Sequence, residues 1–287
     1  MKNVLVTGAN GQLSECIKKA APAYPGLAIH FASIDDLDIT DSNAVHSFFE
    51  ANAFDICINT AAYTAVDKAE SEQELAFSVN GEALENIAKT CSSLDVTLIH
   101  VSTDYVFDGK KNSPYTVDDI TGPINVYGAS KLAGERYIEE LCEKYFIVRT
   151  SWLYSQFGHN FFKTILKHAA AGNPLTITTE QLGSPTNAND LAIALLEIAQ
   201  SESDAYGIYH FSNEGEATWY DFAEAILEES GQLATTNLAK TDHYRTFADR
   251  PEYSILDSSK LYREFNVTPI HWRESLKTLF VEHNNQK

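Results

Sequence analysis

The sequence predicts an α/β fold, a doubly wound parallel sheet with a smaller C-terminal lobe interleaved with it. Five short apolar runs alternate with helical patterns over the first 155 residues, which is the order typical of a parallel sheet with helices on both faces. A glycine-rich turn follows the first of these runs. Beyond residue 155 the alternation becomes irregular, so we expect a second packing unit there.

Composition is that of an ordinary globular protein, with 287 residues, 44% of them hydrophobic and 21% charged. The formal net charge of −19 argues against a nucleic-acid partner, because a phosphate backbone requires a basic surface. No apolar run approaches the length of a membrane span. Four scattered cysteines show no Cys-x-x-Cys spacing and indicate buried thiols in a reducing compartment. We therefore expect a cytoplasmic protein without nucleic-acid or membrane partners.

The first strand and the turn after it predict a dinucleotide site. A β-branched run over residues 2–7 leads into Gly8-Ala9-Asn10-Gly11-Gln12-Leu13, and a helical pattern follows over residues 15–23. Gly8 would make the tight turn, and Gly11 would let the backbone approach a pyrophosphate at the helix N-terminus. Ser14 stands where the fingerprint has its third glycine, and its side chain is small enough for close packing. The pattern predicts a Rossmann-type sheet.

The second strand, residues 28–32, leaves the choice of nicotinamide cofactor open. A carboxylate at the tip of this strand would bind the adenosine ribose hydroxyls. The tip carries Ser33 instead, with Asp35, Asp36 and Asp38 slightly later. A 2′-phosphate is therefore not excluded, yet no arginine is present to bind it. NADPH and NADH both stay open. The helix that follows has Thr40 or Asp41 as its N-cap.

The third and fourth strands end in small and hydroxyl-bearing residues. Residues 55–60 form a buried strand that leads into Ala61-Ala62-Tyr63, where small side chains let a cofactor lie against the backbone. Residues 96–101 form a continuous apolar strand, as expected when both faces of a sheet are covered. It delivers Ser102 and Thr103 to the edge where ligands of such sheets bind. We favour Thr103 as the hydroxyl that donates to a substrate carbonyl oxygen.

The next helix pairs a tyrosine with a lysine. After a Gly-Pro break, Tyr127 and Lys131 fall in its first turns, four residues apart and therefore on one face. A nearby ammonium favours the phenolate and lowers the tyrosine pKa from its ordinary value of about 10. Tyr-x-x-x-Lys alone is a common pattern, but with the glycine turn and Thr103 it predicts a nicotinamide-dependent carbonyl reductase. Upstream, Asn80 is interpreted as a solvated side chain, the alternative being a backbone bridge that supports this helix.

Residues 145–149 form the fifth strand, and the second unit follows it. A possible capping box begins a helix at Thr218, and the longest loop covers residues 239–251. We predict a dinucleotide-binding domain over residues 1–155, with later contributions from about 183–213, and a mainly substrate-binding lobe over residues 156–287. The other elements of this half are helices over 161–171 and 191–200 and strands over 175–178 and 207–211.

Several separated segments resemble the extended short-chain dehydrogenase/reductase family and, within it, the dTDP-4-dehydrorhamnose reductases. They span nearly the whole chain, and Ser-Thr-Asp-Tyr-Val-Phe and Ala-Ala-Tyr-Thr-x-Val-Asp are specific to this group. Ser14 and Ser155 depart from the family's usual glycines, away from the expected chemistry. The matching segments cover residues 6–13, 61–70, 102–109, 125–135, 149–152, 183–186 and 250–251.

The resemblance implies a reaction and a set of site residues. Hydride from NADPH or NADH would reach C4 of a dTDP-4-keto-6-deoxy sugar, while Tyr127 protonates the oxygen and Thr103 polarises the ketone. Lys131 would hold the nicotinamide ribose and lower the pKa of Tyr127. Asp104, Tyr105 and Trp152 would contact the sugar of the substrate. Arg250 would bind the pyrophosphate of the sugar nucleotide as a bidentate anion ligand. Cofactor contacts would come from Gly8, Asn10, Gly11, Gln12, Leu13, Asp38, Ile39, Ala61, Ala62, Tyr63, Ser102, Tyr127 and Lys131.

Two other functions stay open. One is a sugar-nucleotide epimerase or dehydratase on the same fold, although dehydratases commonly carry Asp-Glu after the active-site threonine and this chain has Asp104-Tyr105. The other is a non-catalytic protein, like the related regulatory subunits of methionine adenosyltransferase. Some family members bind Mg²⁺ at a dimer contact, but the sequence shows no convincing metal-ligand cluster. A monomer and a homodimer are both compatible with it.

Overall fold

A fully parallel six-stranded sheet forms the centre of the molecule. The computed structural model describes residues 1–242 and 245–284. The doubly wound fold that the sequence predicts is confirmed. Across the sheet the strands are β2 (Leu27–Ala32), β1 (Lys2–Thr7), β3 (Ile56–Asn59), β4 (Thr97–Thr103), β5 (Tyr145–Thr150) and β10 (Gly207–His210).

The order of these strands places a crevice at one edge of the sheet. From β1 the chain forms β2 on one side and then β3 to β5 on the other. The loops that follow β1 and β3 therefore diverge, and a ligand can lie between them at the carboxyl ends of the strands. The tenth strand comes from the second half of the chain and pairs with β5, so the two halves are interleaved.

Helices cover both faces of the sheet. They are α1 (Gln12–Ala20), α2 (Ser42–Asn52), α5 (Ala83–Ser93), α6 (Val126–Leu141), α8 (Ala188–Gln200) and α10 (Ser259–Glu264). On one face α1 and α8 pack on each other, and α10 packs near β10. On the other face α2 packs on α5, and α5 packs on α6. All four cysteines are free and buried, as predicted.

The second lobe has its own aromatic core, in which Phe162, Phe222 and Trp272 are buried. The capping box is present, with Thr218 and Asp221 as its two members. None of the helices in the described ranges is long and apolar enough to cross a membrane. The remaining elements are α3 (Val66–Ala69), α4 (Gln73–Phe77), β6 (Leu153–Tyr154), α7 (Phe161–Ala170), β7 (Leu175–Thr178), β8 (Leu182–Gly183), β9 (Thr186–Asn187), β11 (Ala217–Thr218), α9 (Trp219–Glu229), β12 (Leu238–Thr241) and α11 (Trp272–Asn284).

Some predicted boundaries shift by a few residues. The first helix begins at Gln12, earlier than expected, and a 3₁₀ turn covers Ala21–Ala23. The fourth strand extends through Thr103 because Ser102 and Thr103 continue its pairing with β5. In the predicted loop over 239–251, the first three residues belong to β12, and residues 243 and 244 lie outside the described residues.

The interpretation of Asn80 as a solvated side chain is wrong. Asn80 is buried in a π-helical segment, Ser78–Glu82, between α4 and α5. Its amide accepts from the Tyr63 backbone N–H at 2.9 Å and donates to the Tyr63 carbonyl at 3.0 Å and to Ser130 Oγ at 3.0 Å. Asn80 therefore bridges the backbone after β3 to the helix that carries Tyr127, which is the alternative that the sequence left open.

Candidate active site

A cleft of about 860 Å³ opens at the carboxyl ends of the central strands. It extends from the turn after β1 to the first turns of α6 and on to the second lobe. The predicted residues that line it are Gly8, Asn10, Gly11, Gln12, Leu13, Asp38, Ile39, Ala61, Ala62, Ser102, Thr103, Asp104, Tyr105, Tyr127, Lys131 and Trp152.

The glycine turn has the geometry of a phosphate cradle. Gly8 has φ +73°, and a Cβ there would lie 2.9 Å from the Cα of Ala61, so only glycine fits. Gly11 precedes α1 without a side-chain cap, which leaves the first N–H groups of the helix free for an anion. Ser14 is buried, and its hydroxyl lies 2.8 Å from Thr60 Oγ1. The serine at the third glycine position therefore joins the helix to the loop after β3.

Two of the predicted site residues do not line the cleft. Tyr63 turns outward, where its hydroxyl donates to Glu72 at 2.7 Å. Arg250 forms two hydrogen bonds with the Asp67 carboxylate, at 3.1 and 2.8 Å, and this pairing lowers the pKa of Asp67. The structure thus gives Arg250 a protein partner, and its contact with a pyrophosphate stays a prediction.

The end of β2 is acidic and already hydrogen-bonded. The Asp36 carboxylate accepts from the backbone N–H and the hydroxyl of Ser33, at 2.9 and 2.7 Å. Asp38 accepts from the backbone N–H and hydroxyl of Thr40. Asp41 caps α2 by accepting from two backbone N–H groups. Of the two predicted candidates for the N-cap, Asp41 is therefore correct and Thr40 is not.

Thr103, Asp104 and Tyr127 meet at the end of β4. The Thr103 hydroxyl donates to Asp104 Oδ1 at 3.0 Å and accepts from the Tyr105 backbone N–H at 3.2 Å. It also faces the Tyr127 phenol and favours the phenolate. Tyr105 meets the Tyr127 ring edge to face, with centroids 5.8 Å apart. Burial raises the pKa of Asp104 to about 7.

The expected lowering of the Tyr127 pKa is wrong for this structure. Tyr127 lines the cleft and is partly exposed there, yet desolvation by the surrounding protein raises the pKa of its phenol to about 12. The desolvation of a phenolate therefore outweighs the attraction that the sequence predicts from Lys131.

Lys131 lies in the wall of the cleft and is only 1% exposed. Its Nζ donates to the Val101 carbonyl at 2.8 Å and lies 3.1 Å from His100 Nε2. Burial lowers the pKa of Lys131 to about 8. His100 is not among the predicted site residues, although a polar side chain inside the apolar strand 96–101 requires a buried partner and could reveal it.

An aromatic wall closes the far side of the cleft. Trp152 has φ +45° and stacks on Trp219, with ring centroids 3.6 Å apart and planes at 6°. Phe161 lies 4.6 Å from the Trp219 ring. A Cβ at Gly183 would come within 2.6 Å of Trp152, so this glycine makes room for the indole. Trp152 is among the predicted site residues. Trp219 and Phe161 are not, because an aromatic residue at the start of a helix is their only signal in the sequence.

In the described parts of the chain, no group of three or more His, Cys, Asp or Glu side chains could hold a metal ion. Ser102 and Thr150 line the cleft, and their hydroxyl oxygens are buried without a hydrogen-bond partner among the described residues. Such atoms indicate a polar ligand that approaches the ends of β4 and β5.

Comparisons with known proteins agree with this geometry. The family model described as the RmlD substrate binding domain matches residues 1–285. The dTDP-4-dehydrorhamnose reductase of Sinorhizobium fredii is 41% identical over 96% of this chain and 95% of its own length. That of Aggregatibacter actinomycetemcomitans is 39% identical, over 97% of this chain and 98% of its own.

A solved structure extends the likeness to the whole fold. The dTDP-4-dehydrorhamnose reductase of Bacillus anthracis, in complex with NADP, superposes with a TM-score of 0.92 and is 35% identical. The match covers 98% of this chain and 99% of the other. The chain therefore belongs to the dTDP-4-dehydrorhamnose reductase family.

Proposed function

We propose that this protein uses NADPH or NADH to reduce the C4 ketone of dTDP-4-dehydro-L-rhamnose, which gives dTDP-L-rhamnose. The observation that carries the proposal is one continuous cleft with the glycine turn at one end and Thr103, Tyr127 and Lys131 beside it. The names of the similar proteins support the same substrate.

The residues of the cleft fit a dinucleotide. Gly8 keeps the backbone after β1 open, and the uncapped start of α1 offers N–H groups to a pyrophosphate. Ala61 and Ala62 line the neighbouring wall with small side chains. When bound, a reduced nicotinamide supplies the hydride. The complex of the Bacillus anthracis relative with NADP supports a cofactor of this class.

Tyr127 is the proton donor in this proposal. Its phenol, with a pKa raised to about 12, holds its proton at neutral pH, so it can give that proton to an oxygen that gains negative charge. Lys131 would stabilise the resulting phenolate and hold the cofactor ribose. A neutral phenol that transfers its proton only in the transition state is a suitable acid for a ketone reduction.

Thr103 can polarise the ketone only after its hydroxyl turns. A threonine has one hydroxyl hydrogen, and in the structure that hydrogen is donated to Asp104. With a pKa of about 7, Asp104 is partly neutral near physiological pH. A neutral Asp104 can donate to Thr103 Oγ1 and so release the Thr103 hydrogen for the ketone oxygen.

We also propose that the two halves of the chain bind different ligands. Residues 1–155, with contributions from about 183–213, would bind the cofactor. Residues 156–287 would mainly bind the sugar nucleotide, which would pack against the wall formed by Trp219 of this lobe and Trp152 of the first half. The pairing of β10 with β5 supports the interleaved boundary. Four buried free thiols favour a cytoplasmic location.

A turnover assay tests the proposal. The substrate, dTDP-4-keto-L-rhamnose, is generated in situ, and the loss of NADPH or NADH absorbance is followed with each cofactor in turn. We expect ketone-dependent oxidation of at least one cofactor and formation of dTDP-L-rhamnose. A sample that retains bound cofactor and consumes none would contradict the proposal and favour an epimerase.

A further inference from the structure

A line of buried polar side chains joins the centre of the sheet to Lys131. Thr7 on β1 donates its hydroxyl hydrogen to Asn59 Oδ1 on β3, at 2.5 Å. Asn59 Nδ2 lies 2.9 Å from His100 Nδ1 on β4. His100 Nε2 lies 3.1 Å from Lys131 Nζ on α6. Asn59 and His100 are 0% exposed, so each group of the line must be satisfied by its neighbours.

For the orientation that the Asn59 amide has in this structure, counting hydrogens along the line assigns one tautomer to His100. Burial, and then the charge of Lys131, hold the pKa of His100 well below its ordinary value, so its ring is neutral and carries one hydrogen. An amide nitrogen can only donate, so His100 Nδ1 accepts from Asn59 and the hydrogen sits on Nε2. That Nε2–H faces Lys131 Nζ, which accepts it only as a neutral amine.

An ammonium at Lys131 requires the opposite arrangement. It has three hydrogens and no lone pair, so His100 Nε2 must accept and the ring hydrogen must move to Nδ1. The Asn59 amide then turns over to present its oxygen to Nδ1, and Thr7 accepts from the amide nitrogen. The hydrogen bonds of His100 to Asn59 and to Lys131 can therefore be kept in either charge state of the lysine. In the ammonium state the Thr7 hydroxyl hydrogen turns away from Asn59, and the 3.5 Å contact of Asn59 Nδ2 with the Ala61 carbonyl is lost.

Both charge states of Lys131 are accessible near neutral pH. Burial lowers its pKa to about 8, while the Glu135 carboxylate on the same helix raises it. Glu135 is itself held by Arg149 of β5, at 2.9 and 2.6 Å. On the β4 side, Lys131 faces His100 and the Val101 carbonyl.

We propose that His100 is a positioning residue for Lys131, offering a lone pair to its ammonium and an N–H to its amine while Asn59 turns over to match. The inference rests on the proposed function, in which the Lys131 ammonium holds the cofactor and supports Tyr127. As an ammonium, Lys131 gives one hydrogen to Val101 and one to His100. Its third hydrogen is left for a ligand in the cleft.

The direct test follows the tautomer of His100 by NMR. The ¹⁵N chemical shifts of both ring nitrogens are recorded against pH, without added ligand. We expect the hydrogen to move from Nδ1 at low pH to Nε2 at high pH, with its midpoint at the Lys131 pKa of about 8. The ring should stay neutral throughout.

His210 is the matched internal control. It is also fully buried, and burial lowers its pKa to about 3. Its Nδ1 lies 3.0 Å from the Tyr115 carbonyl, so it should keep the Nδ1–H tautomer at every pH. In Lys131→Met the His100 exchange should disappear. One His100 tautomer at all pH values in the wild type, or an exchange that persists in Lys131→Met, overturns the inference.

The consequence for the reaction is tested by pH profiles of kcat/KM. His100 accepts a hydrogen bond from the Lys131 ammonium and so stabilises the charged lysine. His100→Leu removes this acceptor and should move the alkaline limb of the profile to lower pH by about one unit. His100→Gln keeps an acceptor and should return the limb to its wild-type position. Asn59→Asp should move the limb to higher pH, since a carboxylate fixes the hydrogen on Nδ1. Unchanged limbs in His100→Leu and Asn59→Asp overturn this consequence.

The proposed function and the inference about His100 can be contradicted independently of each other. An enzyme that reduces the ketone but shows no exchange of the His100 tautomer contradicts only the inference about His100. A protein that shows the exchange but oxidises neither cofactor contradicts only the proposed function. If His100→Leu does not fold, the wild-type NMR titration still decides.

Discussion

At the scale of single residues, burial decides the acid-base character of the cleft. It raises the pKa of Tyr127 to about 12 and that of Asp104 to about 7, and it lowers that of Lys131 to about 8. All three shifts favour the neutral form, as desolvation requires. At pH 7 Tyr127 is therefore a neutral phenol, Asp104 is partly ionised, and Lys131 is still mostly an ammonium. A ligand that brings charge or hydrogen bonds can shift the ionisation of Asp104 and Lys131.

The role of Tyr127 is tested by Tyr127→Phe. The ring and its edge-to-face contact with Tyr105 are kept, and only the hydroxyl is lost. We expect kcat to fall about 10²–10⁴-fold, the usual contribution of a general acid. Cofactor affinity, measured by fluorescence titration, should change little, because the phenol acts in the transition state. Tyr137→Phe on the same helix is the control. Equal losses of affinity and rate would contradict the assignment.

The raised pKa of Asp104 predicts a pH-dependent stability. Its folded-state pKa of about 7 lies above the ordinary aspartate pKa of 3.8. The unfolded chain therefore releases this proton at lower pH, and the folded protein loses stability as pH rises from about 4 through 7. Asp104→Asn removes the buried charge. Its gain in unfolding free energy should be small at pH 4 and reach about 4 kcal/mol, as an upper estimate, by pH 8.

Chemical denaturation at a series of pH values measures this gain. Asp35→Asn, at an exposed aspartate, serves as the control and should show no such growth with pH. A constant difference between Asp104→Asn and the wild type from pH 4 to pH 8 would show that Asp104 is not buried as a neutral acid.

At the scale of elements, α6 holds Tyr127 and Lys131 in place through close backbone contacts. A Cβ at Gly134 would lie 2.1 Å from the Asn80 carbonyl oxygen, and one at Gly128 would lie 2.1 Å from that of Tyr105. These two glycines let the helix approach the π-helical segment and the end of β4. Because Asn80 also binds the Tyr63 backbone, the same contact sets the loop after β3.

Gly134→Ala tests this packing against a matched substitution across the same interface. We expect it to lower the unfolding free energy by about 1–3 kcal/mol, because the backbone of Asn80 must shift. At Gly81 a Cβ would meet Ala133 at an ordinary 3.5 Å. Gly81→Ala should therefore be neutral or stabilise the protein by up to about 1 kcal/mol. Similar losses in the two variants, measured by urea denaturation, would contradict the close approach at Gly134.

The elements that the sequence predicted correctly are those with a local pattern. Thr103 ends an apolar strand, and Tyr127 and Lys131 are spaced on a helix, so regular geometry brings them to one edge of the sheet. Contacts between segments that are far apart in the chain have no such pattern. Arg250 and Asp67 are 183 residues apart, and neither segment is periodic. Likewise, the stacking of Trp219 on Trp152 depends on how the second lobe packs, which no local signal encodes.

At the scale of the whole molecule, the Arg250–Asp67 pair joins the second half of the chain to the first beside the cleft. The Arg250 side chain is 18% exposed and that of Asp67 is 48% exposed. Asp67 also accepts from the Ala248 backbone N–H at 3.1 Å. A partly exposed pair contributes little to stability, so its position near Tyr105 favours a role in binding. We interpret Asp67 as the partner that a diphosphate would replace.

Substitutions on the two sides of this pair should then act in opposite directions on substrate binding. Arg250→Ala removes a bidentate anion ligand and should raise KM for the dTDP sugar about 10-fold or more, since hydrogen bonds to charged groups are strong. Asp67→Asn frees the guanidinium and should leave KM unchanged or lower it. Steady-state kinetics with varied sugar nucleotide at saturating cofactor measures both values. If both substitutions raise KM equally and lower the melting temperature together, the pair only holds the loop in place and Arg250 does not bind the diphosphate.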